Sequence, residues 1–203
     1  MMPELIEISR DALRSDLETR VQALLNEAFP EGSSTDGDYY ARHGVPGRIL
    51  IAREAQQVVG HLAVYQRQVK MGDEVLEIGM IGAVAVAPDR RRRGHCRLLL
   101  RRAHDDLRAR SIPFSILFAF EPLVYLSSGY RPMQNETHFL DADGCVEDPC
   151  LSRQHVCGAR REAVAEPNAR IGWRGRVAGH RRAPALVWHD RQARPGVRCD
   201  ECP

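Results

Sequence analysis

The stretch VAVAPDRRRRGHCRLLL, Val84–Leu100, decides the fold. Apolar residues alternate over Ile81–Val86, which reads as a strand. Pro88-Asp89 ends it, Arg90–Arg93 and Gly94 make a basic turn, and Arg97-Leu98-Leu99-Leu100 opens a helical pattern. Strand, basic turn and helix in this order aim free backbone N–H groups and the positive end of a helix dipole at one point. That geometry suits a phosphate.

Outward from this stretch the pattern continues on both sides. Downstream, Gly94–Arg110 places Cys96, Leu99, Leu100, Ala103 and Leu107 on one helical face. Ile112–Phe118 is β-branched and aromatic, as in a strand buried on both faces. Pro122–Ser128 reads as a short helix with Pro in its first turn. Arg131–Leu140 reads as a further strand. Upstream, Val58–Val69 and Val75–Val86 form a hairpin through Lys70–Glu74, whose Met71-Gly72-Asp73 is a turn signal. Arg48–Glu54 is the strand before it. Ser15-Asp16-Leu17-Glu18 has the form of a capping box, so Asp16–Ala28 is expected to be an amphipathic helix. Glu4–Ser9 is a short strand, Glu31–Asp38 a loop, and Tyr39–His43 a short helix. The order β-α-α-β-β-β-α-β-α-β predicts an α/β (α+β) fold: a mixed sheet with helices on both faces.

Composition bounds the rest. A chain of 203 residues with 43% hydrophobic content can bury a core. It has no apolar run near the ~20 residues that span a bilayer. The acidic start, MMPELIEISRD, lacks a signal pattern, which points to the cytoplasm. The net charge of +2 does not suit a nucleic-acid-binding polycation. Nine arginines lie in Arg90–Arg110, but Asp105 and Asp106 interrupt them and no aromatic residues are interleaved. Lys70 is the single lysine, and this arginine excess reads as codon bias. Residues 1–140 carry the periodic patterns and read as one domain. Residues 141–203 form an Arg/Cys-rich extension in which Ala185–His189 is the one expected strand. Five of the six cysteines lie there. Cys199-x-x-Cys202 has zinc-ligand spacing but no second regular pair, so no metal site is expected.

Two motifs carry chemistry. Arg91-Arg92-Arg93-Gly94-His95-Cys96 follows a V-x-V-x-P strand and opens a helix. Tyr125-Leu126-Ser127-Ser128-Gly129-Tyr130 follows the next strand. Together they resemble the GNAT superfamily of acyl-CoA-dependent N-acyltransferases. Its motif V-x-V-x-P-x-x-(R/Q)-x-x-G-x-(G/A) matches here except that Cys96 stands at the last small position. The resemblance covers about residues 4–140 and implies acetyl-CoA as co-substrate. It assigns Val84, Ala85 and Val86 to the pantetheine arm by their backbone groups. It assigns Arg91, Arg92, Arg93, Gly94, His95 and Cys96 to the pyrophosphate. Tyr125 takes the place of the acid that protonates the departing thiolate; a phenol of pKa ~10 holds its proton at neutral pH.

The implied reaction is direct transfer to a primary amine. It needs a base, which the family often carries as a glutamate in the fourth strand. Here Met80 and Gly82 hold those positions and Glu77 has the opposite parity, unless a bulge turns it back. Asp36, Asp38, Glu121 and His138 are further candidates, and the base stays unassigned. Gly60–Arg67, its hairpin and the long fourth strand are similar to aminoglycoside 2′-N-acetyltransferases and to the nodulation N-acyltransferases. In the former, an acidic substrate loop falls where Asp36 and Asp38 stand, suiting a cationic amino-sugar. The expected partners are a small-molecule amine and a second copy of the chain, with neither nucleic acid nor membrane. Two other readings stay open: an acyl-CoA-binding sensor without catalysis, and transfer of a longer acyl chain.

Overall fold

The structure is a computed structural model that describes residues 3–30, 39–40, 45–71, 74–119, 121–133, 137–140, 146–147, 171–174 and 185–189. Five strands from the first 120 residues build its centre. They are β1 (Glu4–Ile8), β2 (Arg48–Glu54), β3 (Gln57–Met71), β4 (Glu74–Val86) and β5 (Phe114–Phe118). β1 to β4 pair antiparallel in chain order, and β5 lies parallel to β4. Helix α1 (Ser15–Ala28) covers one face and α2 (His95–Ala109) the other. A single-turn helix, α3 (Leu123–Leu126), follows β5. This is the mixed α/β architecture expected.

Strand alternation sends residues to two cores. Ala63, Tyr65, Ile78 and Met80 pack on the α1 side with Val21, Leu24 and Leu25. Leu62, Val64 and Ile81 pack on the α2 side with Leu99, Leu100, Ala103 and Leu107. The α2 face predicted from spacing is therefore the buried one, with Cys96 half-buried at its edge.

Local chemistry moved several boundaries. The capping box does not form. Arg14 is the N-cap and Ser15 is already helical, its carbonyl accepting the Thr19 hydroxyl at 2.8 Å. Glu18 turns away to Arg10 at 2.5 Å. The fifth strand starts at Phe114, not Ile112, because Ser111 sits at φ 59 and the Ile112 N–H closes onto Leu107 O at 2.9 Å. Pro113, with no N–H to give a ladder, separates that cap from the strand. Arg131–Leu140 is not one strand. It divides into β6 (Arg131–Pro132) and β7 (Thr137–Leu140), with residues 134–136 outside the described set. Tyr39 and Tyr40 are helical, while Ala41–His43 and the Glu31–Asp38 loop also lie outside it.

Beyond Asp141 the expected strand is present as β10 (Ala185–His189), antiparallel to β5 and β6. Two short strands were not expected: β8 (Val146–Glu147) and β9 (Ile171–Arg174). β9 has a glycine in four residues and too little length for a period to show. It pairs with Val69–Met71, the end of β3 that extends past the last β2 partner at Val64. Segments from the Arg/Cys-rich region thus pair with strands from before it.

Candidate active site

The site begins where two parallel strands part. β4 and β5 pair only at Gly79–Ile81 with Ser115–Leu117. β5 ends at Phe118, whereas β4 runs on to Val86. At the parting β4 bulges. Ala63 pairs with Gly82 and His61 with Ala85, so Ala83 and Val84 stand opposite the single residue Leu62. Ala83 adopts φ 51. Past the bulge Val84 joins the α2 side. The β5-facing edge of Gly82–Val86 is left with backbone groups that β5 does not meet.

The basic turn closes one end of this gap. Pro88–Arg90 forms a 3-10 turn, Arg92 takes φ 61, and Gly94 caps α2 at φ 87. Gly94 has no side chain to cap the helix, and the first helical bond runs from Leu98 N to Gly94 O at 2.9 Å. The N–H groups of His95, Cys96 and Arg97 are therefore the orphan donors of the first turn. A Cβ placed on Gly94 would meet nothing within 4 Å, so the backbone beside these donors is open to a ligand. Arg91, Arg92 and Arg93 are exposed around it, with Arg91 Nε on Val86 O at 3.3 Å. Donor set, open backbone and charge together fit a diphosphate.

Two side chains in this turn have structural duties instead. Arg90 binds Glu54 at 2.9 Å and Asp89 at 2.5 Å. The His95 ring is buried, with Nε2 3.3 Å from Glu54 Oε1 but without hydrogen-bond geometry. His95 thus offers a ligand its backbone N–H, not its buried ring.

Tyr125 reaches the same place from α3. Val84, Cys96 and Tyr125 are the half-buried side chains that each pack against the α2 core. Burial raises the Tyr125 phenol above its ordinary pKa, and Cys96 and Glu121 add to the rise. Burial likewise raises the Cys96 thiol to about 11, so it stays protonated and is no nucleophile at neutral pH. Tyr125 is held by an edge contact with Tyr130, ring centroids 6.1 Å apart at 80°. The Tyr130 hydroxyl is buried 2.8 Å from Ser115 Oγ and 3.2 Å from His104 Nε2. This ties α3 to β5 and α2.

Comparison with known proteins meets this geometry. The model of the acetyltransferase (GNAT) domain family matches residues 10–133, more than half of the chain. The chain belongs to the GNAT acetyltransferase family. It is 31% identical over 138 residues to an aminoglycoside 2′-N-acetyltransferase of Mycolicibacterium fortuitum, a match covering 66% of this chain and 69% of that one. Among solved structures, Escherichia coli ElaA superposes with a TM-score of 0.55 at 14% identity, covering 93% of this chain and 100% of that one. The E. coli GNAT N-acetyltransferase YhbS, solved in complex with CoA, gives 0.54 at 15% identity over 93% and 82%. The chain spans only about a third, 33%, of an Enterococcus faecalis V583 probable N-acyltransferase that it also matches, at a TM-score of 0.56 and 16% identity. The chemistry of the family is N-acetyl transfer, and acetyl-CoA is the co-substrate.

On the α1 side of the GNAT sheet the expected carboxylate is absent from β4. Met80 is buried, Gly82 faces the Tyr65 ring, and Glu77 is exposed. The bulge lies at Ala83, six residues beyond Glu77, and does not turn Glu77 back. Glu121 is exposed and close enough to Tyr125 to act on it electrostatically. His138 lies in β7 opposite Gly172. Asp36, Asp38 and the tail cysteines lie outside the described residues. Sequence reading missed His61, which is fully buried beneath the bulge with both ring nitrogens in contact. Its signal was a histidine on an inward position of the apolar strand Val58–Tyr65.

Proposed function

We propose that the chain transfers an acetyl group directly from acetyl-CoA to a primary amine, and that the acceptor is an amino-sugar of the aminoglycoside type. The observation that carries this reading is the gap between β4 and β5, bordered by Val84, Cys96, Tyr125 and the uncapped start of α2. The backbone of Val84–Val86 takes the pantetheine arm, and the turn Arg91–Cys96 takes the pyrophosphate. The amine nitrogen attacks the thioester carbonyl, the C–N bond forms, the nitrogen releases its surplus proton to solvent and the C–S bond breaks. The sulfur leaves as a thiolate and receives the Tyr125 proton, which solvent then replaces. The 31% identical aminoglycoside 2′-N-acetyltransferase supports the acceptor class. Asp36 and Asp38 are assigned to the cationic acceptor on charge alone.

No described helix is long and apolar enough to cross a membrane. The reading includes a cytoplasmic protein and a homodimer, the latter checked by sedimentation. The test of function is acetyl-CoA turnover against a panel of amines and aminoglycosides, read by released thiol. Acetylated aminoglycoside identified by mass is the expected product. The absence of a carboxylate at Met80 and Gly82 favours one second reading, an acyl-CoA sensor. Tight acetyl-CoA binding with no amine-dependent thiol release would replace the enzyme by that sensor.

A further inference from the structure

We propose that His61 is a positioning residue for acetyl-CoA: it holds the β4 bulge at Ala83 and so sets where the backbone groups of Val84–Val86 point. The bulge takes Ala83 out of the ladder, because β3 pairs with Gly82 and then with Ala85. Its carbonyl therefore needs another donor. His61 supplies one, with Nδ1 2.7 Å from Ala83 O. A carbonyl oxygen only accepts, so the proton is on Nδ1. Nε2 is then a bare acceptor, and the Tyr40 hydroxyl stands 2.5 Å from it. The ring is fully buried, and burial keeps it neutral by lowering its pKa to about 4. One tautomer satisfies every contact.

Each end of this relay is fixed. Ala83 sits at φ 51, a conformation that a residue with a Cβ does not hold unless its surroundings impose it. Beyond it, the Ala87 N–H is anchored on Val59 O at 3.0 Å. Tyr40 packs edge-on against Tyr39, whose N–H binds Gln22 Oε1 of α1 at 3.0 Å. The α1 layer therefore reaches the parting of β4 and β5 through one imidazole. Without the His61 donor, β4 gains by relaxing toward a regular ladder. That slips Val84–Val86 by one residue and turns their backbone groups away from the gap.

This inference rests on Val84–Val86 being the strand of the acetyl donor, and its test separates the two. Nitrogen-15 correlation spectra of the unaltered protein are expected to show His61 with a proton on Nδ1 and none on Nε2; the opposite tautomer overturns the inference whatever the protein binds. Binding of acetyl-CoA to the unaltered protein by calorimetry tests the strand assignment. Against that baseline, His61→Leu is expected to weaken acetyl-CoA about tenfold, the scale of one buried hydrogen bond. His61→Asn, whose amide N–H stands where Nδ1–H does, should recover to within about threefold, although it loses the Tyr40 contact. Asparagine as weak as leucine, or leucine as tight as the parent, overturns the positioning role. Should His61→Leu fail to fold, Tyr40→Phe removes the hydroxyl that meets Nε2 and is expected to cost about threefold in donor affinity. Unchanged affinity in that variant also overturns it.

Discussion

Replacing Tyr125 by phenylalanine tests the chemical step most directly. The change deletes one oxygen. The edge contact with Tyr130 at 6.1 Å and the packing against the α2 core remain. Among the described residues the hydroxyl has no hydrogen-bond partner, so stability should change by less than about 0.5 kcal/mol. General acids contribute about 10²–10⁴ in rate. Burial raises this phenol, as do Cys96 and Glu121. The rise keeps the proton in place at every working pH but weakens the drive to give it up. The expected loss in kcat is therefore at the low end, about 100-fold or 2.7 kcal/mol. Single-turnover thiol release between pH 6 and 9 measures it, with acetyl-CoA affinity from calorimetry alongside. Affinity should stay within about twofold, since the sulfur is uncharged before transfer. A donor thioester of a more acidic thiol should lose less, because its departure needs less help. A kcat within threefold of the parent across that pH range would refute the acid role.

Four further outcomes follow from the same geometry. Gly94→Ala meets no protein atom but must hold φ 87, so it should cost about 1–2 kcal/mol in urea unfolding. Gly94→Val also sets bulk beside the α2 donors and should lower acetyl-CoA affinity more than about tenfold; parental affinity in calorimetry would sink the phosphate assignment. His61 and His104 are both lowered by burial from 6.5 to about 4. Below pH 6.5 the unfolded chain takes up protons that the folded one excludes, so stability is full above that pH and falls as pH drops toward 4. By pH 5 the loss should be roughly 2 kcal/mol per histidine, read as a lower urea midpoint; an unchanged midpoint between pH 7 and 5 would count against buried neutral rings. Cys96, raised to about 11, should alkylate about 100-fold more slowly than an ordinary thiol at pH 7.5, followed by mass spectrometry of its peptide; equal rates would contradict its burial.

The strand, turn and helix of the proposed donor end were legible in the sequence because their local demands are strict. A strand, a turn with a positive-φ glycine and a helix must be consecutive, and Val84–Leu100 writes them in order. The bulge at Ala83 was not legible. Gly82 is only a weak signal for it, and the hydrogen bond that meets the Ala83 carbonyl comes from His61, 22 residues away. The capping box failed for a related reason: Arg10, outside the motif, outcompeted the helix N-terminus for Glu18. β9 was hidden because the vacant edge of β3, not its own four residues, makes it a strand.

The acceptor side follows from packing as well. A Cβ at Gly82 would stand 3.2 Å from the Tyr65 ring, closer than ordinary contact. A carboxylate there could enter only if Tyr65, itself buried, moved. At Gly82 the strand thus faces an aromatic wall and carries no proton acceptor. Transfer still requires a neutral amine, and an alkylamine near pKa 10.4 is neutral only about one part in a thousand at pH 7.4. Each pH unit by which the amine is less basic raises that fraction about tenfold. Amines on a sugar ring are made less basic by the electron-withdrawing oxygens beside them. A strand without its own base therefore favours the acceptor class that the aminoglycoside-acetylating relative suggests.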